Sequence, residues 1–498
     1  IERDGMSYLV LTCYDPALRI TLTRSTVQFH KVTDSGAISK LLRDAGLRPD
    51  VQSTSATYEH QIVKYASAWD FILCRAEANG FIVTVDDGTV SVRPPKFDAA
   101  KFVAGFGDTI ADLELEIDAA SQLPDVTSAA WDPKTQKVVS GKSSEPSVNK
   151  QGNIAGRKLS TAFDQQSLGL QTQSWLETEE LKSWADAQLL KSRLSRIRGT
   201  LSIPGNAEIK PGQLLDLAGL GKRFNGSGYV SAVRHRVADG QWTTELGFGL
   251  TRDWFSDVNR DVTAPVAAAL RPGSGGLQIG KVKQIQDDPK GERRILVVLP
   301  LDQDGAQGIW VRIASPYATK DAGVEFLPEV DDEVVLGFLS DDPDYAIILG
   351  SLHSSARPSP VVPDEKNKIK AIVSNSHMKV SFDDVDKILT IETPGGHVVT
   401  LSDKDKSVTV KDSNGNELEM SGSGVTLSSP KDITIKADGS VSIKGTSGVT
   451  ISSPSDVSVK GAGTTVEAQL ALTAKGGVSA ELSSSGNTTV RGTLVMIN

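Results

Sequence analysis

Six histidines, two cysteines, a Gly-Lys-Ser and a few acidic pairs are the side chains in these 498 residues that could do chemistry. His30, His60, His235, His353, His377 and His397 are dispersed, without ligand spacing and without His-Glu-x-x-His, so structural or surface roles are expected rather than a metal centre. His235 lies in Arg234-His-Arg236, a charged strand expected to face a neighbouring subunit or solvent. Gly141-Lys-Ser143 matches the end of a phosphate-binding loop, but Gln136 stands where the earlier glycine is required, and the surroundings read as polar loop. Asp331/Asp332, Asp341/Asp342 and Asp383/Asp384 sit in turn-forming stretches, where Asp bonds its own backbone. No Gly-x-Ser-x-Gly elbow is present. Cys13 and Cys74 are too few and too far apart for a disulfide framework, and buried free thiols are expected. No catalytic residue, cofactor or metal ligand is assigned, and the chain is read as not an enzyme.

Composition bounds the architecture. The chain is too long for one core, is 39% hydrophobic but only 5% aromatic, and holds 45 glycines, so its strands must pack through small and β-branched residues. A formal charge of −9 argues against nucleic acid as a partner. No stretch approaches the ~18 consecutive apolar residues of a membrane span, so no anchor is expected. The chain begins at Ile1 rather than Met, from which a missing N-terminal stretch is expected.

The elements that must position any function are most regular at the C-terminus. After Phe382 there is no Phe, Tyr or Trp, and from Val425 apolar pairs recur every eight residues: Val425 and Leu427, Ile433 and Ile435, Val441 and Ile443, Val449 and Ile451, Val457 and Val459. These ten residues are the expected needle core. Each pair brackets a Thr or Ser, the alternation of a strand with one buried face, and turn-formers such as Ser-Ser-Pro-Lys-Asp separate the pairs. Less regular members extend the series: Leu389/Ile391, Val399/Leu401, Val408/Val410 and Leu418/Met420 before it, then Val466, Leu470/Leu472, Val478, Leu482 and Val490. Eight residues are too few for one turn of a single-chain solenoid, at about 20–25. Two apolar residues per octad cannot enclose a core, whereas three chains, each supplying one wall of a triangular prism, can. Because burial alone falls short of the ordering entropy, an interchain hydrogen-bond ladder is required as well.

Upstream, 277–355 reads as a five-stranded barrel, with strands from Gly280, Arg294, Gly308, Glu333 and Tyr345. Pro358, Pro360 and Pro363 mark 356–366 as a stiff linker, and 367–498 is the needle. Residues 1–270 read as a mixed α/β hub. A helix is expected from Asp34 to Ala45, and another from Trp69 to Asn79 behind Ser67. A hairpin turns at Asp86-Asp87-Gly88, and 140–170 reads as polar and irregular. A longer helix is expected from Thr178 to Arg198, stopped by Gly199.

Four stretches carry a resemblance. They are Trp69-Asp-Phe-Ile-Leu-Cys-Arg-Ala-Glu-Ala-Asn-Gly-Phe with its hairpin; Ile209-Lys-Pro-Gly, Gly219-Leu-Gly-Lys-Arg-Phe-Asn-Gly and Tyr229-Val-Ser-Ala-Val-Arg-His-Arg; Phe326-Leu-Pro-Glu-Val-Asp-Asp-Glu-Val-Val-Leu-Gly-Phe; and the octads. In this order they resemble the VgrG-type spikes of type VI secretion and extracellular contractile injection systems, and the fused hub and spike of contractile phages. The resemblance implies a mainly β, multidomain fold: a hub of β-barrels with helices, an OB-fold, and a trimeric, intertwined triple-stranded β-helix. It implies a homotrimer that caps an inner tube, organises a baseplate and punctures a target envelope to deliver effectors, with transient contact with the target membrane. Leu494, Val495, Met496, Ile497 and Asn498 would seat a conical PAAR-type tip protein. The particle would assemble in the bacterial cytoplasm and then be extracellular, membrane-anchored or translocated. Only the short linker separates barrel from needle and nothing follows Asn498, so neither a lysozyme-like insert nor a fused toxin is expected. The rival readings are a β-solenoid polysaccharide-degrading enzyme and a trimeric adhesin.

Overall fold

The computed structural model describes residues 2–3, 6–7, 9–301 and 307–497. The chain divides into two compact units, Ile1–His353 and Ser354–Asn498.

The first unit opens with a two-stranded antiparallel ribbon, Arg24–Thr33 against Thr57–Ser67. Helix α1 (Asp34–Asp44) leaves its first strand and α2 (Ala68–Ala78) leaves its second. Thr33 caps α1 by accepting from the Gly36 amide at 3.1 Å, and Ser67 caps α2 by accepting from Asp70 at 3.0 Å. The hairpin Ile82–Asp86/Thr89–Arg93 turns through Asp87 and Gly88, both at positive φ, as a tight hairpin requires. Ile38, Leu42, Ile72, Val90 and Val92 close one core.

Helix α3 (Thr178–Leu194) begins with a capping box between Glu177 and Glu180 and packs Leu181, Ala185 and Leu189 on a three-stranded sheet. That sheet comprises Val126–Asp132, Lys137–Lys142 and Leu168–Thr172. The stretch expected to be irregular therefore carries strand at both ends and a helical turn at Gly156–Leu159. The expected helix to Arg198 is also corrected: it stops at Leu194, and Ile197–Pro204 is a strand paired with Asp112–Ile117. Gly199, expected as a stop, lies inside that strand at φ +146°, where a side chain would land on the Glu114 carbonyl oxygen.

A six-stranded sheet follows, in the order 103–105, 214–218, 226–238, 241–248, 197–204 and 112–117. Leu201, Leu215, Leu217, Val230, Leu246 and Phe248 fill its concave side. Its edge strands, 103–105 and 112–117, do not pair with one another.

The closed barrel lies at β1 (Leu277–Gln284), β2 (Ile295–Val298), β3 (Ile309–Ile313), β4 (Glu333–Phe338) and β5 (Ala346–Ser351), in the order β1-β2-β3-β5-β4. Strands β3 and β5 run parallel, the other neighbours antiparallel. Val282, Ile295, Val297, Val311, Leu336 and Ile348 are fully buried inside. The Asp302-Gln-Asp-Gly stretch, whose residue types favour a turn, lies outside the described residues.

The second unit holds seven antiparallel strands in sequence order: β6 (Ile369–Val373), β7 (Lys379–Asp383), β8 (Ile388–Glu392), β9 (Val398–Ser402), β10 (Ser407–Lys411), β11 (Glu417–Ser421) and β12 (Gly424–Ser428). Residues 369–428 thus pair within their own chain. Among the described residues of the single chain, 429–497 carry no strand.

Candidate assembly surface

Alternation along β7–β12 and their register lay two apolar rows across one face of the sheet. Val380, Ile391, Val399, Val410, Leu418 and Leu427 are successive cross-strand partners, and so are Phe382, Leu389, Leu401, Val408, Met420 and Val425. The opposite face carries Ser381, Thr390, Thr400, Thr409, Glu419 and Thr426. The single chain leaves the apolar face open: Leu401 and Val410 are each 43% exposed and Val425 is 71% exposed. Contiguous apolar area of this kind is rare on a protein that works alone. Charges hold one rim: Lys368 lies 2.9 Å from both Asp383 and Asp386, and these carboxylates, Asp386 foremost, hold its amine well above the usual lysine range.

Beyond Ser428 the backbone bends sharply at 430–431, 438–439, 446–447, 454–455 and 462–463, then at 469–470, 477–478, 485–486 and 493–494. The step is eight residues throughout except for one of seven, between 462–463 and 469–470. Exposure repeats with the same period. The first residue of each pair is close to half exposed, from 49% at Ile433 through Val441 and Val449 to 55% at Val457. The second is more open still, at 71% for Ile435 and Ile443, 72% for Ile451 and 73% for Val459.

The expected needle core is one that three chains would close, and in the single chain its residues are open to solvent. Ile435, Ile451 and Val459 are exposed rather than buried, and so are Val425, Leu427, Ile433, Val441, Ile443, Val449 and Val457. The physical reason is that two apolar residues per octad form one wall, and the same chain sets no second wall against it. Every octad from Ile433 to Val459 thus repeats the same pattern of bends with its apolar pair open.

The seven-residue step moves side chains to the other face: counted from the preceding corner, Thr465 and Glu467 stand where apolar pairs stood, and Val466 keeps the register of the following corner. Leu470 and Val478, placed among the strand positions from sequence, fall in corners and are fully exposed. At the end, Leu494 is a corner residue, Val495, Met496 and Ile497 are exposed, and Asn498 lies outside the described residues.

The residues examined for chemistry are distributed as follows. Strand pairing sets His30 directly opposite His60, edge to face at 4.8 Å between ring centroids, a proximity that thirty residues of separation conceal. His235 Nδ1 lies 3.0 Å from the Thr244 hydroxyl, and its ring meets Trp242 edge-on. Gly141 belongs to a strand rather than a loop, and its Cα faces the α3 backbone so closely that a Cβ would lie 2.7 Å from the Leu181 carbonyl carbon. Cys13 is exposed, which corrects the expectation of a buried thiol, and Cys74 is half-buried, which pushes its thiol up. Asp342 and Asp383 accept backbone amides in their turns, from Asp344 at 3.0 Å and from Asp386 at 2.9 Å.

The feature that sequence reading missed is the hub's buried ion pair. Asp34, at the start of α1, takes Arg75 Nε at 2.6 Å and Arg75 Nη2 at 2.8 Å, and Gln61 and Asn79 also donate to it. Burial raises the Asp34 carboxyl, and Arg75 together with the hydrogen bonds from Asn79 and Gln61 more than reverses this, leaving it below the usual carboxylate range. The pair ties α1 to α2. Its only sequence signal is a long polar side chain on the otherwise apolar face of α2.

Comparison with known families gives two matches: the type VI secretion system/phage-baseplate injector OB domain over residues 278–353, and the Alg8 N-terminal domain over residues 1–239. The type VI secretion system spike protein VgrG3 of Vibrio cholerae is 29% identical over 136 residues, 25% of this chain and 13% of that protein. VgrG2a of Pseudomonas aeruginosa is 31% identical over 119 residues, 22% of this chain and 14% of that protein. The chain therefore matches only a small part of the length of these curated relatives. Among solved structures, the E. coli c3393 protein, a type VI secretion component similar to the phage T4 tail proteins gp27 and gp5, is 12% identical at a TM-score of 0.31. That alignment covers 68% of this chain and 76% of the other. No helix among the described residues is long and apolar enough to cross a membrane. The matched injector OB domain closes as a barrel at β1–β5, and the curated proteins to which part of this chain is similar are VgrG spike proteins.

Proposed function

We propose that three copies of this chain form the central spike of a contractile injection system. On this reading residues 1–270 are the hub that caps the inner tube and organises the baseplate, 277–355 the OB barrel, 356–366 the linker and 367–498 the needle that punctures the target envelope. The role is mechanical and uses no cofactor. The observation that carries it is the second unit's unfinished state: two apolar rows open to water on β7–β12, and then a run of octads whose apolar pairs stay exposed and whose backbone has no strand partner in its own chain. Each deficit is of the kind that further copies of the same segment repair, by covering the rows and supplying ladder partners. Ile435, Ile451 and Val459, open in one chain, would then face their counterparts across the prism.

The tip residues Leu494, Val495, Met496 and Ile497, with Asn498, would present a triangular apolar end to a PAAR-type protein, and effectors would travel with the spike. The assembly would form in the bacterial cytoplasm as part of a phage tail-like particle, and act outside the cell, from a membrane anchor or inside the target. The deciding measurement is the mass of the purified particle. A species near three times 53.0 kDa supports the spike, and a stable monomer removes it. Turnover of envelope polysaccharide by the purified trimer would instead favour the enzymatic reading.

A further inference from the structure

The corners divide the shaft into straight segments: 432–437, 440–445, 448–453, 456–461, 464–468, 471–476, 479–484 and 487–492. In the first four, the apolar pair occupies the second and fourth positions. The fifth position, on the opposite face by strand alternation, holds Lys436, Lys444, Lys460, Lys475 and Arg491 in five of the eight segments, and Ser452, Ala468 and Ser483 in the others. No acid takes that place: Asp432 and Asp456 stand first in their segments, Asp438 in a corner, Glu481 third and Glu467 fourth. From 429 onward six cations meet five acids, a net charge of one positive, so the rest of the chain carries ten negative charges of the overall −9.

We propose that these residues form basic columns on the outside of the assembled shaft, and that their partner is an anionic membrane surface, through its lipid phosphates. The inference rests on the trimeric needle proposed above. Whichever way the octads stack, residues eight apart occupy equivalent places in successive layers. Layers of a sheet lie about 4.8 Å apart, inside the Debye length of about 8 Å at physiological salt, so each column acts as a line of positive potential. Like charges stacked on neighbouring strands work against assembly. An anionic surface favours the placement. A shaft with the charge density of the rest of the chain would be repelled by such a surface.

The test uses the full chain with its mass measured in parallel. Its sedimentation with vesicles of phosphatidylcholine is compared with vesicles that also contain phosphatidylglycerol, at about 0.15 M and about 1 M salt. At roughly 1 kcal/mol for each cation near an anionic surface, the wild type should prefer the anionic vesicles at least about tenfold, and high salt should remove the preference. Substituting Lys436→Gln, Lys444→Gln, Lys460→Gln and Lys475→Gln together should abolish it, and arginine at the same four positions should restore it. Equal binding to both vesicles, undiminished binding by the glutamine variant, or equally tight binding to duplex DNA would overturn the assignment. A trimer that ignores lipid charge removes the columns alone. A monomer by mass removes the spike reading as well.

Discussion

Ile443→Asp separates the association of chains from the folding of one chain. In the single chain Ile443 is 71% exposed and lies in a segment without intrachain strand pairing, so the hub and barrel should not register the change; exposed substitutions away from special features stay within about 0.5 kcal/mol. In a three-chain prism the same position recurs three times in one layer. Losing three isoleucine side chains forfeits about 5–9 kcal/mol of burial at about 1.5–3 kcal/mol each, and three carboxylates meeting in a dry interior add several kcal/mol per ion. Against 1.4 kcal/mol per tenfold change, that is on the order of seven decades in the association constant or more. Light scattering coupled to gel filtration should show monomer for Ile443→Asp, with the melting of the first unit unchanged. Ser442→Asp, one residue away on the opposite face, serves as the control and should remain trimeric. Trimers of Ile443→Asp at wild-type concentrations would refute the prism.

Asp34→Asn should destabilise the hub by about 3–5 kcal/mol, the usual effect of leaving one member of a buried pair without its partner; urea unfolding of the hub at neutral pH would show it, and an unchanged midpoint would mean that the pair does nothing for stability. Gly199→Ala places a side chain against the Glu114 carbonyl at a φ that favours glycine, and a loss of about 1–3 kcal/mol is expected in the same measurement. In the barrel, Asp288 gathers the amides of Lys290, Glu292 and Arg294 and the Arg294 guanidinium, which holds its carboxyl well below the ordinary 3.8. A depressed carboxyl stabilises the fold fully above its unfolded value and loses that contribution as pH falls through the lower, folded one. The barrel should therefore weaken progressively below about pH 4. Asp288→Asn, less stable at neutral pH, should show a shallower acid limb in a series of denaturation curves.

What could be read directly from the sequence was whatever local physics decides. Thr33, Ser67 and Gly88 mark a helix start, a helix start and a hairpin turn by their own chemistry, and the barrel strands announce themselves as apolar runs between Asp-rich turns. Misreadings arose where partners lie far apart in the chain. Arg193, Arg196 and Arg198 suit the end of a long helix as countercharges to its dipole. In the fold, Arg193 grips Glu145 and the Leu123 carbonyl, Arg196 the carbonyls of Gln151 and Ile154, and Arg198 the side chains of Glu116 and Asp118. These tertiary partners, 40 and more residues away, end the helix early. The Asp34–Arg75 pair and the His30–His60 contact were invisible for the same reason. The apolar surface of the second unit was legible as an excess of patterned apolar residues over what one chain can bury, which is why Ile435, Ile451 and Val459 stay open in it. The residue missing between 463 and 470 was not legible, because a single deletion changes no composition.

The two halves of the C-terminal unit share the same apolar pair yet build differently, and what separates them is whether the chain reverses between pairs. From Leu389 to Leu418 the pairs recur at nine or ten residues. The four or five residues between successive strands suffice to reverse the chain, and each reversal from β6 to β11 contains a residue at positive φ: His377, Lys387, Gly396, Lys406 and Gly415. The chain therefore folds back on itself, and every inner strand finds its ladder partner at home. From Ile433 the spacing shortens to eight, the corners shrink to two bent residues, and among the described residues only Gly448 has positive φ beyond Gly424. A chain that bends without reversing carries each strand past its predecessor instead of alongside it, so both edges of every octad lack a neighbour. Hydrogen-bonding groups at such edges are the strongest available template for another chain. Connections that reverse the chain, down to the two residues Gly422 and Ser423 between β11 and β12, thus give a sheet that one molecule can complete, and corners that do not reverse it leave a shaft that needs others.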